Sequence, residues 1–239
     1  MEKTKKESKV SKKKRCGLIL EILAEIYPIP APQLEFVNPW QLMVATILAA
    51  QCTDERVNKI TPALFSRWPG PDELAQAEVS EVEEVIRSTG LFRSKARNLV
   101  ANARRLVEHY QSQVPDSMAD LTSLAGVARK TANIVLWSGF GKNEGVAVDT
   151  HVGRISGRLG LTESDNPIII EKDLMQLFPR ESWGDLNNRL VWFGRDVCRA
   201  RAPQCSDCPL SALCPKLGLT ENGKPLPKGK PRSGATKPE

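Results

Sequence analysis

The sequence predicts an all-α protein of about ten helices with short connections. Apolar residues recur at 3.6-residue spacing along most of the chain, and the alternation expected of strands is nearly absent. Proline and glycine close the apolar stripes at short intervals. A chain of 239 residues holds one large domain or two small ones, each able to bury a core.

Ile19, Ile22, Leu23 and Ile26 make the first stripe, which Pro28 and Pro30 end. Gln41 to Gln51 is apolar nearly all round and predicts a central buried helix. Val57, Ile60, Leu64 and Trp68 follow, with Pro62 expected to kink or split that helix. Val79, Val82 and Ile86 form the next stripe, closed by Gly90. Ala96, Leu99, Ala103, Leu106 and Tyr110 make the clearest amphipathic pattern of all. A short helix is predicted from near Pro115, and another from about Val127 to Phe140, stopped by Gly139 and Gly141. Asp149-Thr150 is a start signal for a stripe of Val152, Ile155 and Leu159. Leu174, Leu177 and Phe178, then Leu186, Leu190, Phe193 and Val197, complete the pattern. No internal repeat of fixed period is present.

The formal charge of +6 is concentrated at the ends. Residues 1–15 carry eight basic and two acidic side chains, and residues 221–239 carry five and two. Removing both segments leaves a net of −3 on the rest, so total charge does not by itself imply a polyanion partner. The segments 1–15 and 217–239 are expected to be disordered basic tails. A hydrophobic content of 41% excludes a disordered chain overall. The longest apolar run, Leu42 to Ala50, is too short to span a bilayer, and the first fifteen residues lack a signal-peptide pattern. A cytoplasmic, intracellular protein without membrane contact is expected, and in that reducing setting six cysteines point to metal, chemistry or packing before disulfides.

Four of those cysteines, Cys198, Cys205, Cys208 and Cys214, stand in the spacing C-x6-C-x2-C-x5-C. Pro203, Pro209 and Pro215 keep that segment from forming a continuous helix, as a ligand loop requires. Four thiolates there can wrap a tetrahedral zinc ion or an iron–sulfur cluster, and spacing alone does not choose between them. Cys16 and Cys52 lie in helical patterns and are expected to be inert packing residues.

The segment Leu124-Ala-Gly-Val-Ala-Arg-Lys130-Thr-Ala lies between two helical patterns. Gly126 permits a tight reversal, and a helix starting near Ala128 presents free N–H groups to which Arg129 adds charge. That is an anion site reading phosphate, or equally an ordinary connection between helices. Lys130 falls in the first turn of the second helix, where the positive end of the dipole favours the neutral amine, a plausible nucleophile. Taken singly, Lys130 is better described as a surface lysine aimed at phosphate. Asp149 at a helix start is by itself an N-cap, and His151 carries no signal of its own.

In combination these features resemble the endonuclease III family of helix–hairpin–helix DNA glycosylases and AP lyases. The likeness runs from about Cys16 to Lys216 and is carried by Leu124 to Asn133, Val148 to His151 and the four cysteines. The resemblance implies that residues 32–142 form a six-helix barrel domain containing the helix–hairpin–helix. It implies that residues 16–31 and 143–216 form a second domain holding a 4Fe-4S cluster on Cys198, Cys205, Cys208 and Cys214. By the same resemblance Lys130 is the catalytic lysine and Asp149 the catalytic aspartate. The resemblance also implies that Gln51 fills the gap left by a flipped base and that Leu91 wedges the opposite strand. It implies that Gly126, Ala128 and Arg129 of the hairpin, with Arg199 and Arg201 of the cluster loop, contact DNA phosphates.

The implied reaction is removal of oxidised pyrimidines from duplex DNA through a lysine Schiff base and β-elimination, on DNA carrying such lesions or abasic sites. A monomer is expected. Arg87, Arg93, Lys95 and Arg97 around the wedge are expected to line a basic groove with the hairpin and cluster-loop cations. The sequence departs from the family's usual Leu-Pro-Gly-Val-Gly hairpin at Ala125 and Ala128, which implies weaker DNA affinity. Thr89 stands near the wedge where a larger apolar residue is common. An adenine or thymine mismatch glycosylase of the same superfamily is one alternative, although such enzymes usually lack the lysine. A non-catalytic DNA-binding module with a four-cysteine zinc site is the other.

Overall fold

The structure is a computed structural model that describes residues 7–28, 32–220 and 224–226. Its described residues form an all-helical fold, with one isolated bridge between Leu219 and Pro225. In chain order the helices are α1 (Lys9–Ile26), α2 (Pro39–Leu48), α3 (Asp54–Arg67), α4 (Pro71–Ala75), α5 (Val79–Ile86) and α6 (Phe92–Tyr110). There follow α7 (Met118–Thr122), α8 (Arg129–Phe140), α9 (Thr150–Arg158), α10 (Pro167–Leu177) and α11 (Trp183–Asp196). Short 3-10 turns cover Arg87–Thr89, Arg180–Ser182 and Ser211–Leu213.

The chain starts and stops its helices with local chemistry. Asn38, Thr53, Ser117, Asp149 and Asn166 each accept a backbone N–H one turn into the helix they precede. Pro39, Pro71 and Pro167 stand where the helix has no use for an N–H. Gly141 closes α8 in the left-handed region, at φ +67°.

The helices gather around two hydrophobic cores. One runs from Trp40 to Leu136 and centres on α2, in which eight of ten residues are buried. Each large side chain so buried contributes roughly 1.5–3 kcal/mol. The second core joins Cys16, Ile19 and Leu23 of α1 to Val146, Ile155, Leu174, Leu190 and Phe193. Helix α11 touches both α8 and α9, so it lies along the seam between the two cores.

Three expectations are corrected. Pro62 does not split α3, which runs unbroken through it. It lies on the exposed side, while Ile60, Thr61 and Leu64 fix the helix to the core. The short α4 carries no apolar period long enough to see in the sequence. The basic start of the chain is not a tail up to residue 15: helix begins at Lys9, capped by Ser8. Lys12 Nζ donates to the Gly160 carbonyl (2.8 Å), and Arg15 Nη1 donates to the carbonyls of Leu159 (2.9 Å) and Leu213 (3.1 Å). Its cations are structural because they satisfy carbonyls more than 140 residues away in sequence. At the other end Leu217 N–H donates to Arg158 O and Leu226 N–H to Gly218 O, so the described part of 217–239 is tethered too. Residues 1–6, 221–223 and 227–239 of the expected tails lie outside the described residues.

Arg15→Ala removes the two carbonyl bonds and the paired contact with Glu7, and is expected to cost about 1–2 kcal/mol. That is a melting temperature lower by a few degrees. An unchanged melting curve would show that α1 is held by its apolar stripe alone.

Candidate active site and DNA interface

The hairpin joins α7 to α8. Gly126 has φ +73°, and a Cβ there would meet Asn98 Nδ2 at 2.6 Å, so both conformation and space demand glycine. Asn102, fully buried on α6, grips the turn reciprocally. Its Nδ2 donates to the Ala125 carbonyl (2.9 Å), and its Oδ1 accepts from the Ala125 N–H (2.7 Å). A proline at 125 has no N–H to give. The departure at Ala125 therefore exchanges ring rigidity for a hydrogen bond from a neighbouring helix. Ala128 is the N-cap residue of α8 and is exposed, with no side-chain cap of its own. The first N–H groups of α8 stay open toward solvent in the way an anion site requires.

Lys130 is exposed in the first turn of α8, and its ammonium makes no hydrogen bond or ion pair with the described residues. Its neighbour Arg129 is not a free phosphate ligand. Arg129 Nε donates to Glu171 Oε2 on α10 (2.6 Å), and Asn133 Nδ2 donates to Glu171 Oε1 (2.7 Å). Glu171 is 4% exposed, while the Arg129 side chain keeps 43% of its surface. The segment leading to Asp149 passes beside the same carboxylate: a Cβ on Gly145 would fall 2.1 Å from Glu171 Oε1 and 2.9 Å from Asn133 Nδ2. Beyond it, the Ala147 carbonyl accepts from Asn187 Nδ2 of α11 (2.7 Å). Asp149 Oδ1 then accepts from Val152 N–H (2.8 Å), so this carboxylate does cap α9. Its Oδ2 takes no part in the cap. The start of α8, which carries Lys130, and the segment that leads to Asp149 thus both lie against Glu171.

Behind Asp149, His151 Nδ1 accepts from Arg154 Nη2 (3.1 Å), which fixes the remaining ring proton on Nε2. Burial first, and the Arg154 and Arg195 charges after it, hold His151 below its ordinary pKa against the opposing pull of Asp149, which leaves it neutral at pH 7. Arg154 Nη2 also donates to the carbonyls of Gly194 and Cys198 (both 3.1 Å).

Cys198, Cys205, Cys208 and Cys214 line one cavity, walled also by Phe193, Pro203 and Leu210. Among the described residues no three His, Cys, Asp or Glu side chains converge tightly enough for a single metal ion. The thiols surround a shared space instead, as a multi-iron cluster needs. Burial, and then the neighbouring cysteines, push the Cys208 and Cys214 thiols up, so thiolates there require a positive partner. Arg158, buried on α9, donates through Nη1 to Cys198 Sγ (3.3 Å) and the Arg199 carbonyl (2.8 Å). Its Nη2 donates to the Ala200 carbonyl (2.8 Å). One guanidinium therefore fixes the loop on which Arg199 and Arg201 stand exposed.

Gln51 and Leu91 are exposed and both adopt left-handed backbone, at φ +55° and +48°. They are neighbours, since a Cβ on Gly90 would lie 4.0 Å from the Gln51 carbonyl.

Residues 44–180 match the family described as HhH-GPD superfamily base excision DNA repair protein. Endonuclease III of Synechocystis sp. is 52% identical over 205 residues, spanning 86% of this chain and 94% of that protein. Endonuclease III of Bacillus subtilis is 39% identical over 202 residues, 84% of this chain and 92% of that one. The chain belongs to the endonuclease III family. A solved trapped covalent intermediate of endonuclease III with DNA superposes with TM-score 0.81 at 40% identity, over 85% of this chain and 96% of that one. A thermostable thymine-DNA glycosylase shares the fold, with TM-score 0.76 at 24% identity.

One expectation about this endonuclease III family member is corrected. Lys95 is not a groove cation: it is 4% exposed and donates inward. Burial pulls its pKa below the ordinary lysine value. Thr89 stands two residues before Leu91, as expected, but is buried at 1% exposure, and its Oγ1 donates to the Ile86 carbonyl (2.8 Å). Arg87, Arg93, Arg97 are exposed as expected. Asn102, Glu171 and Arg158 were missed as site residues, and Lys95 was expected to face outward. The signal that could have found them is a polar or charged residue inside a buried stripe, such as Lys95 beside Ala96 and Leu99.

Restoring the usual proline by Ala125→Pro leaves Asn102 Oδ1 buried without its donor, at a cost of about 1–3 kcal/mol. The variant is expected to melt lower than wild type, and a higher melting temperature would falsify the Asn102 account. Glu171→Gln weakens the grip on Arg129 by losing its charge. It is expected to slow the reaction on DNA at least about tenfold, because the two helix N-termini lose their common reference. Undiminished turnover at saturating DNA would count against that role.

Proposed function

We propose that the chain is a bifunctional DNA glycosylase and AP lyase of base excision repair, acting on oxidised pyrimidines and abasic sites in duplex DNA. The observation that carries this reading is Lys130, exposed in the first turn of α8 and without a hydrogen-bond or ion-pair partner among the described residues, in a chain whose Asp149 caps the start of α9. A mismatch glycosylase has no need of that amine. Residues 32–142 act as the barrel domain, and 16–31 with 143–216 as the cluster domain; the junction at 29–31 lies outside the described residues.

The damaged nucleotide leaves the stack, because the atoms to be attacked are unreachable within it. Gln51 takes the vacated space, and Leu91 enters from the opposite strand and holds the kink. Open N–H groups at the start of α8, the free part of Arg129, and Arg199 and Arg201 take backbone phosphates, which position without reading sequence. The neutral Lys130 amine adds its lone pair to C1′, and the glycosidic bond breaks with its electrons leaving on the base. Asp149 stabilises the positive charge that develops on the sugar and accepts the proton that the new ammonium sheds. The nitrogen lone pair then forms the C=N bond as the C1′–O4′ bond breaks, O4′ takes up a proton, and the opened sugar is left as a protonated Schiff base. Loss of the C2′ proton then expels the 3′ phosphate and nicks the strand.

Cys198, Cys205, Cys208 and Cys214 would hold a 4Fe-4S cluster, whose contribution when bound is structural and electrostatic. The chain's own residues transmit it: Arg158 and Arg154 link the Cys198 segment to the arginine loop and to His151. The protein acts as a monomer in the cytoplasm, close to chromosomal DNA. Among the described residues no helix is long and apolar enough to cross a membrane.

Borohydride reduction during reaction with a duplex containing an oxidised pyrimidine is expected to trap a covalent protein–DNA adduct. Lys130→Ala should form none while still binding an uncleavable abasic-site duplex. Absence of an adduct from wild type on every oxidised pyrimidine offered would sink the lyase reading.

A further inference from the structure

Gln51 and Leu91 hold strained backbone at exposed positions, and such strain persists only where the surroundings impose it. Both turns end on carbonyls that point at the same buried group. Lys95 Nζ donates to the Leu48 carbonyl at 2.8 Å and to the Thr89 carbonyl at 2.7 Å. Leu48 is the last residue of α2, three before Gln51, and Thr89 ends the 3-10 turn, two before Leu91. In a continuing helix the Cys52 N–H would turn to Leu48, but here it bonds Ala49 (3.1 Å). The Leu48 carbonyl is thereby freed for Lys95, as an orphan at a helix end must find a partner. Lys95 is itself fixed, since its N–H closes the first turn of α6 on the Leu91 carbonyl (3.1 Å).

We propose that Lys95 is a positioning residue that joins the Gln51 turn and the Leu91 turn into one rigid insertion unit and sets their spacing at DNA. The inference deepens the proposed function and rests on the insertion roles of Gln51 and Leu91. Charge-assisted bonds to two carbonyls from one ammonium leave neither turn able to move without the other. Two separately flexible loops would have to be ordered on each encounter with DNA; a stapled pair is ordered beforehand.

The test measures single-turnover strand cleavage at an abasic site placed in a duplex and in a single strand. Only the duplex has a partner strand for Leu91 to wedge and a stack for Gln51 to fill. Lys95→Met keeps the apolar stem and removes both bonds. It is expected to lower the duplex-to-single-strand rate ratio on the order of tenfold or more. Gln51→Ala combined with Leu91→Ala should lower the same ratio, and adding Lys95→Met to that pair should lower it no further. Equal loss on both substrates, or a loss that adds in full to that of the pair, overturns the positioning role. An unchanged ratio in the Gln51→Ala, Leu91→Ala protein overturns the insertion reading and this inference with it. If Lys95→Met does not melt cooperatively, Lys95→Arg, which keeps the charge on a longer planar fork, is judged by the same ratio and the same non-additivity.

Discussion

A carboxylate withdrawn from water has to be met by donors, and at Glu171 those donors come from the other hydrophobic core. Arg129 and Asn133 lie on α8 and Glu171 on α10, so this one buried group fixes the start of α8 against the second core. The chain then passes Gly145 against the same carboxylate on its way to Asp149. Lys130 follows directly after Arg129, and Asp149 stands four residues beyond Gly145. Lys130 and Asp149 make no hydrogen bond to each other; what the segments carrying them share is a contact with Glu171.

The same device recurs wherever the site must be stiff. Arg158 is buried and satisfies carbonyls of the cluster loop; Lys95 is buried and satisfies carbonyls of two exposed turns. Asn102 does so for the hairpin with a neutral amide. Each DNA-facing segment is a loop whose own residues have few internal bonds. Each is anchored by one polar side chain reaching out of a packed helix. Such an anchor is costly to bury and directional once buried, which is how a flexible loop acquires one geometry.

Helix placement was legible in the sequence because it rests on local rules. Apolar stripes, side-chain caps and closing glycines act within one or two turns, and ten of the eleven α-helices follow them. The hairpin and the cysteine segment were legible through their spacing and their family likeness. The anchors were not, because their partners lie far off: Lys95 bonds Leu48, and Arg129 meets Glu171 42 residues on. A charged residue on an apolar stripe looks like a tolerated flaw until the facing carbonyls are seen. Pro62 misled for the opposite reason. Its local penalty is real, but burial of Ile60, Thr61 and Leu64 around it outweighs it.

Charge gave the weakest guidance, and the structure explains why. A count of Lys and Arg treats every cation as available to an anion, yet Lys12, Arg15, Lys95, Arg154 and Arg158 all donate to carbonyls inside the fold. Arg129 is half committed to Glu171. What remains to meet phosphate is a small exposed set around the wedge, at the hairpin and on the cluster loop, on a body that is acidic overall. Attraction to a polyanion then depends on where those few cations are held, and each is held by the anchors just described. Position, fixed by buried polar groups, carries more of the DNA interface than net charge does.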